Sequence, residues 1–202
     1  MATARKRSPV VTTRTGDDGY TSLLGPERVP KYDHRVESLG ALDEATSALG
    51  IARAMSEPWL AGMILDIQRR LYLAMTDVAA DSSSGPVLGA RLGSDDVASV
   101  EALIVDLRSR VELKPEFVIP GGTPTSAALD FARTVIRRAE RQVARQQLEG
   151  HLPNPEVLRY LNRLSDAVFV AARVTEAGTA RLAKAGPEEA ADGSAGGASA
   201  AP

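Results

Sequence analysis

The segment DFARTVIRRAERQVARQ, residues 130–146, holds the densest set of side chains able to do chemistry. On a helical wheel, Leu129, Ala132, Ile136, Ala139 and Val143 share one apolar face. Arg133, Arg137, Glu140 and Arg141 fall on an adjacent stripe, and Arg138 points away from both. Arginines four residues apart on a bare helix repel by a few tenths of a kcal/mol per pair. Glu140 offsets part of that, and a bound anion would offset the rest. The competing reading is a solvated charged face with Glu–Arg pairs. The stripe borders the apolar face instead of opposing it, however. In a bundle that places guanidinium groups at a groove or a subunit boundary, where their rigid fork suits phosphate. A second stretch, RYLNRLSD, repeats the geometry: Leu158, Leu161, Leu164, Val168 and Ala172 form a core face, with Asn162 at its polar edge. Its amide both donates and accepts, so it suits a base or a sugar, or equally a neighbouring helix.

Upstream lies TRTGDDGYTSLLGPERVPK, residues 13–31, with no regular apolar pattern. Thr13, Thr15, Thr21 and Ser22 offer hydroxyls, Gly16 and Gly19 let backbone amides approach an anion, and Lys31 adds a point charge. It is no Walker A loop, and DDG alone does not make a calcium loop. Before the arginine segment stands FVIPGGT. Pro120, Gly121 and Gly122 make a turn, and Thr123 or Thr125 can cap the helix that follows. Phe117 in such a position is ordinarily core.

These groups need a scaffold, and the apolar periodicity supplies five helices, at about 33–55, 58–80, 95–111, 125–148 and 155–176. Ser94 is the expected cap of the third and Asn154 of the fifth. No stretch has a strong strand period. The expected fold is all-α, a five-helix antiparallel bundle with a flexible N-terminal segment. Residues 1–11 and the Ala/Gly/Ser-rich 183–202 are expected to be disordered, leaving 12–182 as one domain.

The composition agrees: 202 residues, 44% hydrophobic and only 4% aromatic, imply one ordinary core built from aliphatic side chains. A net charge of −2 gives no general pull toward nucleic acid or membrane. No apolar run is long enough for a membrane span, and the basic start lacks the apolar core of a secretory signal, so a cytoplasmic protein is expected. The absence of cysteine excludes disulfide and thiolate chemistry. Two histidines, His34 and His151, are too scattered for a histidine metal site.

TRTGDDGYTSLLGPERVPK, RVESLGALDE, FVIPGGT, ARTVIRRAER and NPEVLRYLNRLSD, in that order, resemble the motif set of the PduO-type ATP:cob(I)alamin adenosyltransferases. The resemblance covers about 12–173. It implies a five-helix bundle that assembles as a homotrimer with a site at each subunit interface. It implies the reaction too: Co(I) of reduced cobalamin attacks the 5′-carbon of ATP, giving adenosylcobalamin and triphosphate.

Residue by residue, Thr13, Arg14, Thr15, Gly16, Thr21 and Ser22 match the loop that wraps ATP, and Lys31 matches a lysine on its phosphates. Arg137, Arg138, Glu140 and Arg141 match the ATP-binding RRAER element, and Asn162 matches an ATP-contacting asparagine. Arg133 matches an arginine that pairs across the interface with an acid of the first helix, here Asp43. Phe117 matches the aromatic beneath the corrin ring. Arg137, Glu140 and Phe117 are thereby the catalytic group. Mg²⁺ is expected to arrive with ATP, with no metal ligand from the protein. Arg14 departs from a common lysine, and LDEATSALG is less bulky than is usual.

The chemistry fits a chain without a nucleophile of its own, because the cofactor is the nucleophile. The leader then reads as a lid that orders over ATP. A cobalamin reductase and an adenosylcobalamin-dependent enzyme are the implied partners. A non-catalytic carrier of adenosylcobalamin would have no need of a triphosphate site. An unrelated nucleotide-binding bundle would bind ATP without changing the cobalamin spectrum.

Overall fold

The computed structural model describes residues 12–80, 90–176 and 181–183. In chain order the elements are β1 (Tyr20–Ser22), β2 (Arg28–Pro30), α1 (His34–Ala54), α2 (Pro58–Ala79), α3 (Ser94–Arg108), β3 (Val118–Ile119), α4 (Pro124–Leu148), α5 (Glu156–Val174) and β4 (Arg181–Leu182). The expected ends at 1–11 and 183–202 lie outside the described residues, except for Ala183.

Helix α4 packs on α1 and on α5, α3 packs on α5, and α2 packs on α1. An Arg70–Asp96 ion pair at 2.9 Å links α2 to α3 and closes the ring. Small residues line the central contacts: Ala41, Ala45, Ala48 and Ala52 on α1, Ala132 and Ala139 on α4, Ala167, Ala171 and Ala172 on α5, all buried. They let the helices approach closely, and Leu42, Leu49, Leu129, Ile136, Leu161 and Leu164 fill the spaces between them. A core with few rings is thus packed by closeness. Neighbouring helices run antiparallel with one exception. Glu101 on α3 pairs with Arg163 on α5, while Asn154 before α5 bonds Leu92 before α3, so α3 and α5 run parallel.

The helix starts follow local chemistry. Thr123 caps α4 by accepting from the Ser126 amide at 3.0 Å, and the Ser126 hydroxyl returns the bond to the Thr123 amide at 2.9 Å. Asn154 Oδ1 accepts from the Glu156 amide at 3.1 Å, while its Nδ2 donates to Asp77 Oδ2 and to the Leu92 carbonyl, each at 2.8 Å. At α3 the cap is Gly93, not Ser94: the Asp96 carboxylate reaches back to the Gly93 amide at 2.8 Å, which draws the helix start one residue earlier. That helix also ends at Arg108, short of Val111.

The leader is more structured than its composition suggests. β1 and β2 pair antiparallel, Tyr20 opposite Pro30, Thr21 opposite Val29 and Ser22 opposite Arg28. Val29 is buried at 3% exposure, and the Leu24 amide donates to the Ala79 carbonyl at the end of α2. Strands of three residues are too short to register as a period of two. A second small sheet pairs β3 with β4, Val118 opposite Leu182 and Ile119 opposite Arg181.

Asp33 joins the hairpin to α1. Its Oδ1 accepts from the Arg35 amide at 2.9 Å and from Arg35 Nε at 3.1 Å. The Arg35 side chain holds the Asp33 carboxyl below the usual carboxylate range, against the opposing effect of burial. A depressed native value means stability that is complete above the unfolded carboxylate's range and is lost as pH falls through the native one. Asp33→Ala is therefore expected to cost about 1 kcal/mol at pH 7. The gap to the parent should close progressively as the pH is taken below about 4. Urea denaturation across that range is the measurement, and a pH-independent gap would contradict the ionised cap.

Candidate functional site

Helix α4 carries five arginines, and acids engage three of them. Arg133 Nε lies 3.6 Å from Asp130, Arg138 pairs with Glu44 on α1, and Arg145 pairs with Glu149 at 2.9 Å. Arg137 and Arg141 are exposed and have no acid partner among the described residues. Among the described residues, the only bond that either guanidinium makes is from Arg141 Nη1 to the Arg137 carbonyl, at 2.9 Å. Beside them Glu140, half-buried, accepts from Asn162 Nδ2 at 2.8 Å. Asn162 Oδ1 in turn accepts from Arg163 Nη1 at 2.6 Å. The helix-bonding role open to Asn162 is thus the one seen, and it leaves one N–H of its amide free for a ligand. Arg138, turned away on the wheel, faces α1 and sits apart from this group.

The leader makes a second centre. Thr13, Thr15, Gly16, Tyr20, Thr21, Ser22, Arg28 and Lys31 line an open cleft of about 760 Å³. The Lys31 ammonium lies close over Gly16, where an added Cβ would come to 3.0 Å and the lysine tip would have to shift by a few tenths of an ångström. Gly19 has a φ of +84°, the left-handed region that the tight turn requires. Arg14 is the one described non-glycine residue with positive φ, at 60°, and it lies outside the cleft lining. Sequence reasoning missed Asp18 and Arg28. Arg28 grips Asp18 with two bonds, at 2.8 and 2.9 Å, and its Nη2 also donates to the Thr15 carbonyl at 2.6 Å. The Arg28 hydrogen bonds hold the Asp18 carboxyl below the usual carboxylate range. The pairing is visible only once the hairpin register brings residues 18 and 28 together.

The cleft contains none of Arg137, Glu140, Arg141 or Asn162, so the two cationic centres do not share a cleft within one chain. Nor do Asp43 and Arg133 pair within it. Asp43 is exposed on α1, while Arg133 turns to Asp130 and lies 5.9 Å from the Phe169 ring.

Phe117 is 87% exposed. The expectation that a phenylalanine before this turn is core therefore fails. Its side chain borders a cavity of about 330 Å³ together with Asp130, Arg133, Phe169 and Arg173. His34 and His151, far apart in sequence, line one pocket with the buried Gln146. Among the described residues no cluster of three His, Asp or Glu is placed to hold a metal, and no helix is long and apolar enough to cross a membrane.

The family model for cobalamin adenosyltransferase matches residues 11–175, and the chain belongs to that family. A corrinoid adenosyltransferase from Citrobacter freundii is 38% identical over 167 residues, covering 82% of this chain and 94% of the relative. The corrinoid adenosyltransferase PduO of Salmonella typhimurium is 35% identical over the same share of this chain, which spans 49% of that relative. Among solved structures, a variant PduO-type ATP:corrinoid adenosyltransferase from Lactobacillus reuteri, complexed with cobalamin and ATP, superposes with a TM-score of 0.77. The two are 30% identical, and the alignment covers 83% of this chain and 91% of that one.

Proposed function

We infer that this chain transfers the 5′-deoxyadenosyl group of ATP to Co(I) of reduced cobalamin, releasing triphosphate, and that residues 12–182 form its catalytic domain. The observation that carries the reading at the level of the site is the pair Arg137 and Arg141, left without acids on a helix whose other arginines have them. Co(I) donates an electron pair to the 5′-carbon. A Co–C bond forms, the C–O bond breaks, and the pair leaves with triphosphate. No protein base is required. What the protein supplies is cationic groups, fixed in advance, where the leaving charge develops. Arg137, Arg141 and Lys31 have that role, and ATP arrives as its Mg²⁺ complex. Glu140 fixes Asn162, whose free N–H turns to the nucleoside. Replacing Arg137 by Ala should lower ATP use by about ten- to a hundredfold, the loss of one charge-assisted bond worth roughly 1.5–3 kcal/mol. Triphosphate release with and without Co(I)alamin is the assay, and wild-type kinetics would remove Arg137 from the site.

The hairpin is the lid. Thr13, Thr15, Gly16, Thr21 and Ser22 close over the nucleotide, with Arg14 at the tight bend and Arg28 bracing the fold of the loop. Hydrogen exchange should show residues 12–31 gaining protection with Mg-ATP. Equal protection in both states would refute closure.

The separation of the two cationic centres supports a homotrimer in which one copy's hairpin closes on its neighbour's arginines. Arg133 then meets Asp43 of the next copy. Asp43→Ala, which spares the Arg133–Asp130 contact, should raise the trimer's dissociation constant by about tenfold, equivalent to about 1.4 kcal/mol. Sedimentation at graded concentrations reads this, and an unaltered trimer would exclude the pair. Phe117, exposed and apolar, packs under the corrin and excludes the lower axial ligand, which makes Co(II) easier to reduce. The cytoplasm, with its ATP supply, is the proposed compartment; a reductase would supply Co(I), and an adenosylcobalamin-dependent enzyme would take the product.

A further inference from the structure

An exposed ring cannot be held in place by core packing, so whatever fixes Phe117 must act through its backbone. Among the described residues that backbone has one long-range tether: the Ala183 amide donates to the Phe117 carbonyl at 2.7 Å, continuing the β3–β4 pairing of Val118 with Leu182. Phe117 is therefore placed by the segment that follows α5. A buried group of charges stands at the end of α5. Arg173 is 6% exposed, Asp130 3% and Glu176 1%. Arg173 Nη2 donates to Asp130 Oδ2 on α4 and to Glu176 Oε1 at 3.1 Å, and its Nε lies 3.0 Å from Glu176 Oε2. The Phe169 ring has the Arg173 guanidinium 5.1 Å from its centre and that of Arg133 at 5.9 Å. Two cavities flank this group: one reaches Phe117, the other Val118 and Leu182. Glu176 precedes Arg181 by only five positions in the chain.

We propose that Arg173, clamped between Asp130 and Glu176, is a positioning residue for the reaction: it fixes the end of α5, hence β4, hence the height at which Phe117 stands. Hydrophobic side chains of the same volume would stabilise the site as well or better, since buried ion pairs add little net stability. What the charges add is direction. Arg173 reaches both carboxylates at once, which ties its orientation to α4 and to the end of α5, and a wedge displaced by about 1 Å loses most of its effect. The proposal rests on the reading of Phe117 as the group beneath the corrin.

The test uses the whole chain, Mg-ATP and cob(II)alamin, with the four-coordinate cob(II)alamin signal in electron paramagnetic resonance as the readout. Phe117→Ala is the reference. Ala183→Pro deletes the N–H that tethers Phe117, at an exposed position, and also fixes φ there. Glu176→Gln and Arg173→Lys loosen the clamp while keeping its volume. All three should retain ATP affinity, lose much of the four-coordinate signal, and turn over cob(II)alamin plus reductant about ten- to a hundredfold more slowly. Pre-reduced cob(I)alamin should restore much of the rate, which a merely unstable protein would not show. If Phe117→Ala abolishes the signal while Ala183→Pro and Arg173→Lys keep it at the parent level, the positioning role is overturned and the wedge stands. If Phe117→Ala itself leaves the signal intact, both fall.

Discussion

Helix α4 has to touch two helices at once. Its buried face, Leu129, Ala132, Ile136, Ala139 and Val143, is fully withdrawn from water between α1 and α5. Alanine at 132 and 139 is what allows both partners to come close. Everything chemical on the helix is placed by that arrangement. Once the alanines face inward, the i+4 spacing dictates that Arg137 and Arg141 stand outward, while Glu140 meets α5 and Arg138 meets α1. The site is a by-product of packing in the strict sense that no loop is needed to aim these four side chains.

Charge is distributed along α4 with the same economy. Acids from α1 and from α4 or its end answer Arg138, Arg133 and Arg145. The exposed Arg138–Glu44 and Arg145–Glu149 pairs contribute little to stability. Their effect is to leave uncompensated charge at only two positions, so an incoming polyanion meets a focused potential instead of a diffuse basic face. The hairpin repeats the device: Arg28 is consumed by Asp18, and Lys31 is left over.

The helices, the Thr123 cap of α4 and the arginine stripe could be read from the sequence because each depends on residues within a few positions of one another; the α3 and α5 starts each lie one residue from the expected position. Pro124 and Thr123 announce α4, and the spacing of Ala132, Ile136 and Ala139 orients it. What depends on register or on distant chain crossings could not. The Asp18–Arg28 grip needs the hairpin to form first. The Asp130–Arg173–Glu176 group joins residues 43 positions apart, and each of the three alone looks like an ordinary surface charge. Phe117 divides the two kinds of reading: by local pattern a lone phenylalanine looks like core, while the motif resemblance places it under a ligand, and it stands exposed. His34 and His151, scattered in the chain, meet because α1 and α4 run antiparallel.

The two ends of the bundle are built differently. At one end, the buried Asp77 carboxylate accepts from Arg91, from the Leu92 amide and from Asn154, and two residues on, the Ala79 carbonyl receives Leu24. The hairpin and the entries to α3 and α5 are all knotted at the last turn of α2. At the other end, Phe117 adjoins a pair of two-residue strands and is tethered through its carbonyl to Ala183. In mechanical terms the first end is a clamp and the second a cantilever. Thermal motion should therefore concentrate around Phe117, while the hairpin keeps its footing at Leu24 and only its tip is left to move.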